Sequence, residues 1–180
     1  LEVINGLNVD VIALQEADRR LGPRHPAISR RLIETDSDFE LVNVSENGIS
    51  IGWHGNAVLV RKGLQVYDIK RIHLPGLEPR GAVQMTLNIG SGLTFVGAHL
   101  GLRRSNRQAQ LTALQAATAN SPRAVIAGDF NEWSSTKGFI PLAHRFEIHS
   151  PGRSFHARRP IAGLDRFAIT NGIDVRDAGV

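Results

Sequence analysis

The sequence predicts an α/β domain in which helices cover the outside of a two-sheet core. Three observations support this. Strand-like segments dominate residues 56–98. Helical patterns fall at separated places on either side of that stretch. Several apolar runs also stop abruptly at a polar residue, the pattern of sheets that aim functional groups from their strand ends.

Residues 1–8 read as the end of a helix, with Val3, Ile4 and Leu7 on one face. Val11-Ile12-Ala13-Leu14 is a short continuous apolar run, as expected of a buried strand, and it ends in Gln15-Glu16. A helix is expected over His25–Glu34, entered through Pro26, and a strand over Phe39–Val44. Strands follow at Asn56–Arg61, Leu64–Ile72, Gly81–Ile89 and Leu93–Ala98. Lys62-Gly63, Pro75-Gly76 and Gly90-Ser91-Gly92 separate them with turn chemistry. Ser105 reads as the N-cap of a helix ending near Asn120, with Ala109, Leu111, Leu114 and Ala117 as its apolar stripe. Ala124-Val125-Ile126-Ala127 is a second buried run, ending in Gly128-Asp129. A short helix at Thr136–Ala143 and strands at Leu164–Thr170 and Ile173–Val175 complete the pattern. With no repeat, low-complexity tract or linker, one domain over residues 1–180 is expected.

Composition narrows the chemistry. The 180 residues are 42% hydrophobic and 21% charged, as in ordinary globular proteins. No apolar run is long enough to span a membrane. Cysteine is absent, so a metal would need carboxylate, imidazole, amide or water ligands, which favours a hard cation such as Mg²⁺ or Mn²⁺. The net charge of +4 is arginine-heavy and suits a phosphate-bearing partner, although it equally suits a soluble surface. Aromatic content is only 6%, and no basic stretch interleaved with aromatics stands out as a stacking platform.

Polar residues recur where apolar runs end: Glu16, His99, Asp129 with Asn131, and Asp165. Each has an ordinary structural reading. Glu16 suits an exposed strand end, His99 a satisfied core histidine, Asp129 a turn aspartate and Asp165 half of an ion pair with Arg166. Taken together, on four elements, they suit one polar cluster built at the strand ends.

Longer segments carry a resemblance. Val11–Glu16 resembles a strand ending in Gln-Glu, and Gly55-Asn56-Ala57-Val58-Leu59 a Gly-Asn-Ala-Ile-Leu strand. Ala98-His99-Leu100 resembles a Thr-His-Leu segment, followed by Arg107 and Gln110 in an Arg-x-x-Gln spacing. Gly128-Asp129-Phe130-Asn131 matches a Gly-Asp-Phe-Asn signature. Ser154-Phe155 with Leu164-Asp165-Arg166-Phe167 is similar to a Ser/Thr-Phe…Leu-Asp-Arg-Ile close. In this order the motifs resemble the endonuclease/exonuclease/phosphatase (DNase I-like, exonuclease III-like) superfamily across nearly the whole chain.

The resemblance implies a four-layer α/β/β/α sandwich of two mainly antiparallel sheets and a metal-dependent phosphoester hydrolase. Glu16 would bind Mg²⁺ or Mn²⁺, and Asp129 would orient and deprotonate water. His99 and Asn131 would hold phosphate, and Asp165 would orient a second histidine. Asn56 would orient His99 or contact substrate, and Arg80 would approach the phosphate backbone. The sequence departs from the pattern in two places. Neither the family's opening Asn-ending strand nor its Ser-Asp-His strand occurs in these residues, so the complete polypeptide is expected to extend past both ends. His156 stands where the family often has proline and reads as an exposed loop residue. A nucleic-acid substrate is favoured over a lipid. A phospholipid or small phosphodiester is the alternative substrate, and a non-catalytic binding member the alternative function. No protein partner is implied, and the cytoplasm is favoured without a compartment signal.

Overall fold

The computed structural model describes residues 1–134, 137–156 and 158–180. Its elements run α1 (Glu2–Gly6), β1 (Val11–Leu14), α2 (Arg30–Asp36), β2 (Phe39–Leu41), β3 (Ala57–Arg61), β4 (Val66–Leu74), β5 (Arg80–Leu87), β6 (Leu93–His99), α3 (Arg104–Ala117), β7 (Ala124–Asp129), a 3₁₀ turn (Ile140–Leu142), β8 (Phe146–His149) and β9 (Asp165–Thr170). The strands form a three-stranded sheet, β1-β3-β2, and a six-stranded sheet, β4-β5-β6-β7-β9-β8. Every pairing is antiparallel except β6 with β7. That parallel pair requires a crossover, which α3 supplies.

Burial explains the layers. β3 is the centre of the smaller sheet, and its Ala-Val-Leu-Val run is buried on both faces. Val58 and Val60 face the larger sheet's Val83, Met85, Phe95 and Ala127. Ala57 and Leu59 pack the other way, with Ile4 of α1 and Ile33 of α2. A third cluster joins Val96, Ala98 and Ile126 of the larger sheet to Leu111 and Leu114 of α3. The result is the expected four-layer α/β/β/α sandwich. Gly97 sets the spacing of the two sheets at one point, because a Cβ there would lie 3.1 Å from Val58 Cγ2 and 3.5 Å from the Ala13 Cβ. β4 is an edge strand with a bulge between Tyr67 and Lys70; exposed Asp68 lies in the bulge at φ +52° and exposed Lys70 follows it, and charge and bulge together discourage pairing with another chain.

Several expected boundaries move. The helix expected over His25–Glu34 begins only at Arg30, because the preceding residues close a loop. Pro26 bridges Asp18, the Ala27 N–H donates to the Ala17 carbonyl, and Arg24 pairs with Asp18 at 2.7 Å. Arg103, not Ser105, is the N-cap of α3, so Ser105 lies in the first turn. The buried face of α3 holds Arg107, Gln110, Leu111 and Leu114, whereas Ala109 is exposed. Polar side chains have replaced part of the expected apolar stripe because they reach site loops. Ile173–Val175 is not a strand, and β8 adds a strand that the sequence pattern did not suggest. Of the short helix expected at Thr136–Ala143, only the 3₁₀ turn is seen, and Thr136 lies outside the described residues.

Candidate active site

Three adjacent strands of the larger sheet meet at one end of it, where β6 and β7 finish and β9 starts. His99 of β6 is the register partner of Asp129 of β7, and Asp129 is that of Asp165 of β9. An imidazole and two carboxylates therefore form a row across the sheet end, with Asp129 in the middle. β1 ends on the same side, and the Glu16 carboxylate is close enough to feel the charges of His99 and Arg80. Glu16, His99, Asp129, Asp165 and Arg80 thus share one locality although they come from five strands or strand ends.

The hydrogen bonds determine the state of His99. Arg80 Nη1 lies 2.9 Å from His99 Nδ1. A guanidinium can only donate, so Nδ1 must accept and the proton must sit on Nε2. Nε2 in turn faces Asp129 Oδ2 at 3.5 Å. Burial, then the Arg80 charge, lowers the His99 pKa to about 4, so the ring is neutral at pH 7. Arg80 is itself buried, and its Nη2 pairs with Glu78 at 3.1 Å.

Asp129 shifts the other way. Burial holds its carboxyl above the usual carboxylate range, the Asn131 N–H opposes this, and the negative charge of Asp165 adds to it. That N–H donates to Asp129 Oδ1 at 2.8 Å, while Asn131 Nδ2 donates to the Leu100 carbonyl at 2.7 Å. The Asp129–Asn131 turn is thereby tied to the end of β6. Glu16 and Asn131 both adopt positive φ, of +53° and +50°, an uncommon backbone state for such residues that is often found at functional sites. A hydrogen bond from Arg20 at 2.7 Å holds the exposed Glu16 carboxyl below its ordinary pKa.

Gly128 explains the glycine of the Gly-Asp-Phe-Asn segment. Its φ is +139°, and a Cβ would collide with the Ala98 carbonyl oxygen, so only glycine lets β7 run this close to β6. Asn56 is buried. It does not bond His99: its Nδ2 donates to the carbonyls of Gly81, at 2.8 Å, and Trp53, at 3.3 Å. It therefore holds the start of β5, one residue from Arg80. The expectation that Asp165 orients a histidine finds no imidazole hydrogen-bonded to Asp165 among the described residues; its backbone N–H instead meets Ser154 Oγ at 3.4 Å.

Of the residues that brace this site, the sequence motifs included Arg107 and Gln110, without a role, and passed over Glu132. Glu132 forms a buried ion pair with Arg107 at 2.9 Å, and Arg107 also donates to the Leu102 carbonyl. Gln110 accepts from the Gly101 N–H at 2.8 Å and donates to the Pro75 carbonyl at 3.0 Å. The signal for Glu132 was position alone, next to Asn131, whereas Arg107 and Gln110 carried the Arg-x-x-Gln spacing and share one face of α3. Arg20, Arg24, His54, Glu78 and Arg80 line a neighbouring cleft of about 260 Å³.

Among the described residues, no three His, Asp or Glu side chains form a closed metal cage. The donor set does fit a hard cation that keeps part of its water shell. Glu16 offers an exposed carboxylate, and Asp129 feels the negative charge of both Asp165 and Glu16, a crowding that a nearby cation would relieve.

The model of the Endonuclease/Exonuclease/phosphatase family matches residues 1–180. The chain is 29% identical over 191 aligned positions to the uncharacterised protein YbhP of Escherichia coli K12, covering 94% of this chain and 75% of that one. The fold is similar to that of a functionally unknown conserved protein from Enterococcus faecalis V583, with a TM-score of 0.73, 16% identity, and coverage of 94% of this chain and 76% of that chain. It is also similar to truncated Caenorhabditis elegans TDP2, with a TM-score of 0.65, 16% identity, and coverage of 93% and 73%. With a family match along its whole length and a fold to suit, the chain belongs to the Endonuclease/Exonuclease/phosphatase family.

Proposed function

We propose that the chain is a Mg²⁺- or Mn²⁺-dependent hydrolase of phosphoester bonds, most naturally phosphodiesters of nucleic acid. The observation that carries this reading is the pairing of a neutral, Nε2-protonated His99 with a desolvated Asp129 at one sheet edge. A phosphoester hydrolase needs a base for water and donors for the charge that develops on phosphate.

In this reading Asp129 takes the proton from water. Its raised proton affinity makes it a better base than an ordinary aspartate, provided the pH keeps it ionised. His99 donates its Nε2–H to a phosphate oxygen and needs no protonation to do so. Arg80 locks that tautomer and adds positive charge behind it. Asn131 has one amide N–H on the Leu100 carbonyl and offers the other to phosphate. Asp165 raises the basicity of Asp129 from the neighbouring strand. Asn56 acts through Gly81 as a positioning residue for Arg80. Glu16 would hold the cation, which when bound neutralises phosphate charge and polarises the P–O bond.

A substrate panel tests this. Supercoiled plasmid, abasic duplex, sphingomyelin, cardiolipin and bis-p-nitrophenyl phosphate are incubated with Mg²⁺, Mn²⁺ or EDTA. Metal-dependent cleavage of at least one nucleic-acid substrate, abolished by EDTA, is expected. Cleavage that survives EDTA contradicts the role of Glu16, and turnover of lipids alone contradicts the nucleic-acid assignment.

A further inference from the structure

The Trp133 and Phe155 rings meet edge to face, with centroids 5.9 Å apart, although neither belongs to a helix or strand. Both remain open to solvent: Trp133 is 62% exposed and Phe155 43%, whereas the other tryptophan, Trp53, is 8% exposed. Two large aromatic rings held together at the surface are a usual mark of a binding site. They are also anchored. The Phe155 N–H donates to the Ala162 carbonyl at 2.9 Å, and the Ile161 N–H returns to the Phe155 carbonyl at 2.6 Å. Trp133 follows Glu132, which Arg107 clamps, and stands two residues after Asn131. Ser154, beside Phe155, receives the backbone N–H of Asp165. The ring pair therefore sits on the two segments that flank the Asp129–Asp165 rung.

Charge marks the same rim. Arg153, Arg158 and Arg159 lie within four residues of Phe155 in the chain, all are exposed, and none has a carboxylate within 4.0 Å among the described residues. On the opposite side of the site, Arg20, Arg24 and Arg80 are each paired with an acid. The uncompensated charge is guanidinium, which binds phosphate oxygens in a fork and stacks on planar rings. The sequence shows no contiguous stacking platform because its two rings come from separate segments.

We propose that this rim binds single-stranded nucleic acid, with Trp133 and Phe155 stacking on bases and Arg153, Arg158 and Arg159 taking the adjoining phosphates. Bases are exposed for stacking only when a strand is unpaired, and stacking on aromatic rings tolerates any sequence. The proposal rests on the hydrolase reading only in placing the scissile phosphate beside the rim; binding itself needs neither metal nor turnover.

The test is fluorescence anisotropy of a labelled oligothymidylate with the whole protein in EDTA. Duplex DNA and phosphatidylcholine vesicles containing phosphatidylglycerol serve as competitors. Trp133→Ala is expected to weaken oligonucleotide binding roughly tenfold with unchanged circular dichroism. The double variant Arg158→Gln/Arg159→Gln is expected to flatten the slope of log K against log salt by roughly 1.4. Single strand should also quench tryptophan emission in the wild type, since Trp133 is the exposed indole. Unchanged affinity and salt slope in both variants would overturn the proposal, as would equal competition by duplex or competition by vesicles alone. Normal oligonucleotide binding by a protein that cleaves no phosphoester would sink the hydrolase reading and leave this one standing.

Discussion

The state of His99 follows from burial and one contact. Burial disfavours the charged ring and Arg80 can only donate to it, so His99 is held neutral, and the folded protein resists protonating it down to about pH 4. The unfolded chain protonates the same ring near 6.5, so it binds more protons than the native state between those values. Stability therefore falls as pH drops through that window, and the full penalty below it is about 3 kcal/mol. His99→Gln should remove this dependence, so the gap between wild type and variant in urea unfolding should change by about that amount from pH 7 to pH 4. A constant gap would mean that the ring protonates freely. Asp165 makes a second prediction. Its charge raises the proton affinity of Asp129, so Asp165→Asn should shift the acid limb of kcat/KM to lower pH. A limb that stays in place would detach Asp165 from the base. His99, Asp129 and Asp165 could be picked out as candidates because each stands at one end of an apolar run, His99 and Asp129 after theirs and Asp165 at the start of its own. The Arg80–His99 contact could not be, since it depends on β5 lying beside β6, a pairing that neither strand's sequence encodes alone.

α3 does more than cover the sheet. Leu111 and Leu114 pack into the core, while Arg107 and Gln110, on the same face, tie together the loops after β6, after β7 and before β5. Those three loops carry or adjoin His99, Asp129 and Arg80. Breaking a buried ion pair strands the remaining charge and costs about 3–5 kcal/mol. Glu132→Ala should therefore lower the urea-unfolding free energy by about that much, and Arg107→Ala/Glu132→Ala should cost less than the sum of the single changes. A loss below about 1 kcal/mol for Glu132→Ala would show that the pair is effectively solvated. Helical periodicity identified α3 and its buried Leu111 and Leu114, but the expected stripe placed Ala109 and Ala117 beside them instead of Arg107 and Gln110. A buried arginine and glutamine break the apolar pattern, and only the loop carbonyls and Glu132 that they satisfy explain their burial. The late start of α2 has a similar cause, the Asp18–Arg24 and Asp18–Pro26 contacts, which no local propensity reveals.

At the scale of the whole molecule, two sheets and a strand crossover bring the site together. Helices outside a two-sheet core could be read from the strand-rich middle and the separated helices, and the four-layer sandwich was implied by the family resemblance, but the close contacts could not be read. Gly97 lets the sheets meet at Val58, and Gly128 lets β7 pass the Ala98 carbonyl with Asp129 next in line. Gly128→Ala is expected to both destabilise the fold and displace Asp129, because the backbone contact cannot relax by side-chain rotation. A stable, fully active Gly128→Ala protein would refute that packing argument. The central claim is that Asp129 is the base of a metal-dependent phosphoester hydrolase. It is tested most directly by the turnover number of Asp129→Asn against wild type on bis-p-nitrophenyl phosphate with saturating Mn²⁺. Asparagine keeps the shape of the side chain and removes its basicity, so kcat should fall by roughly 10²–10⁴ with circular dichroism unchanged. A folded Asp129→Asn protein that turns over at the wild-type rate would contradict the account.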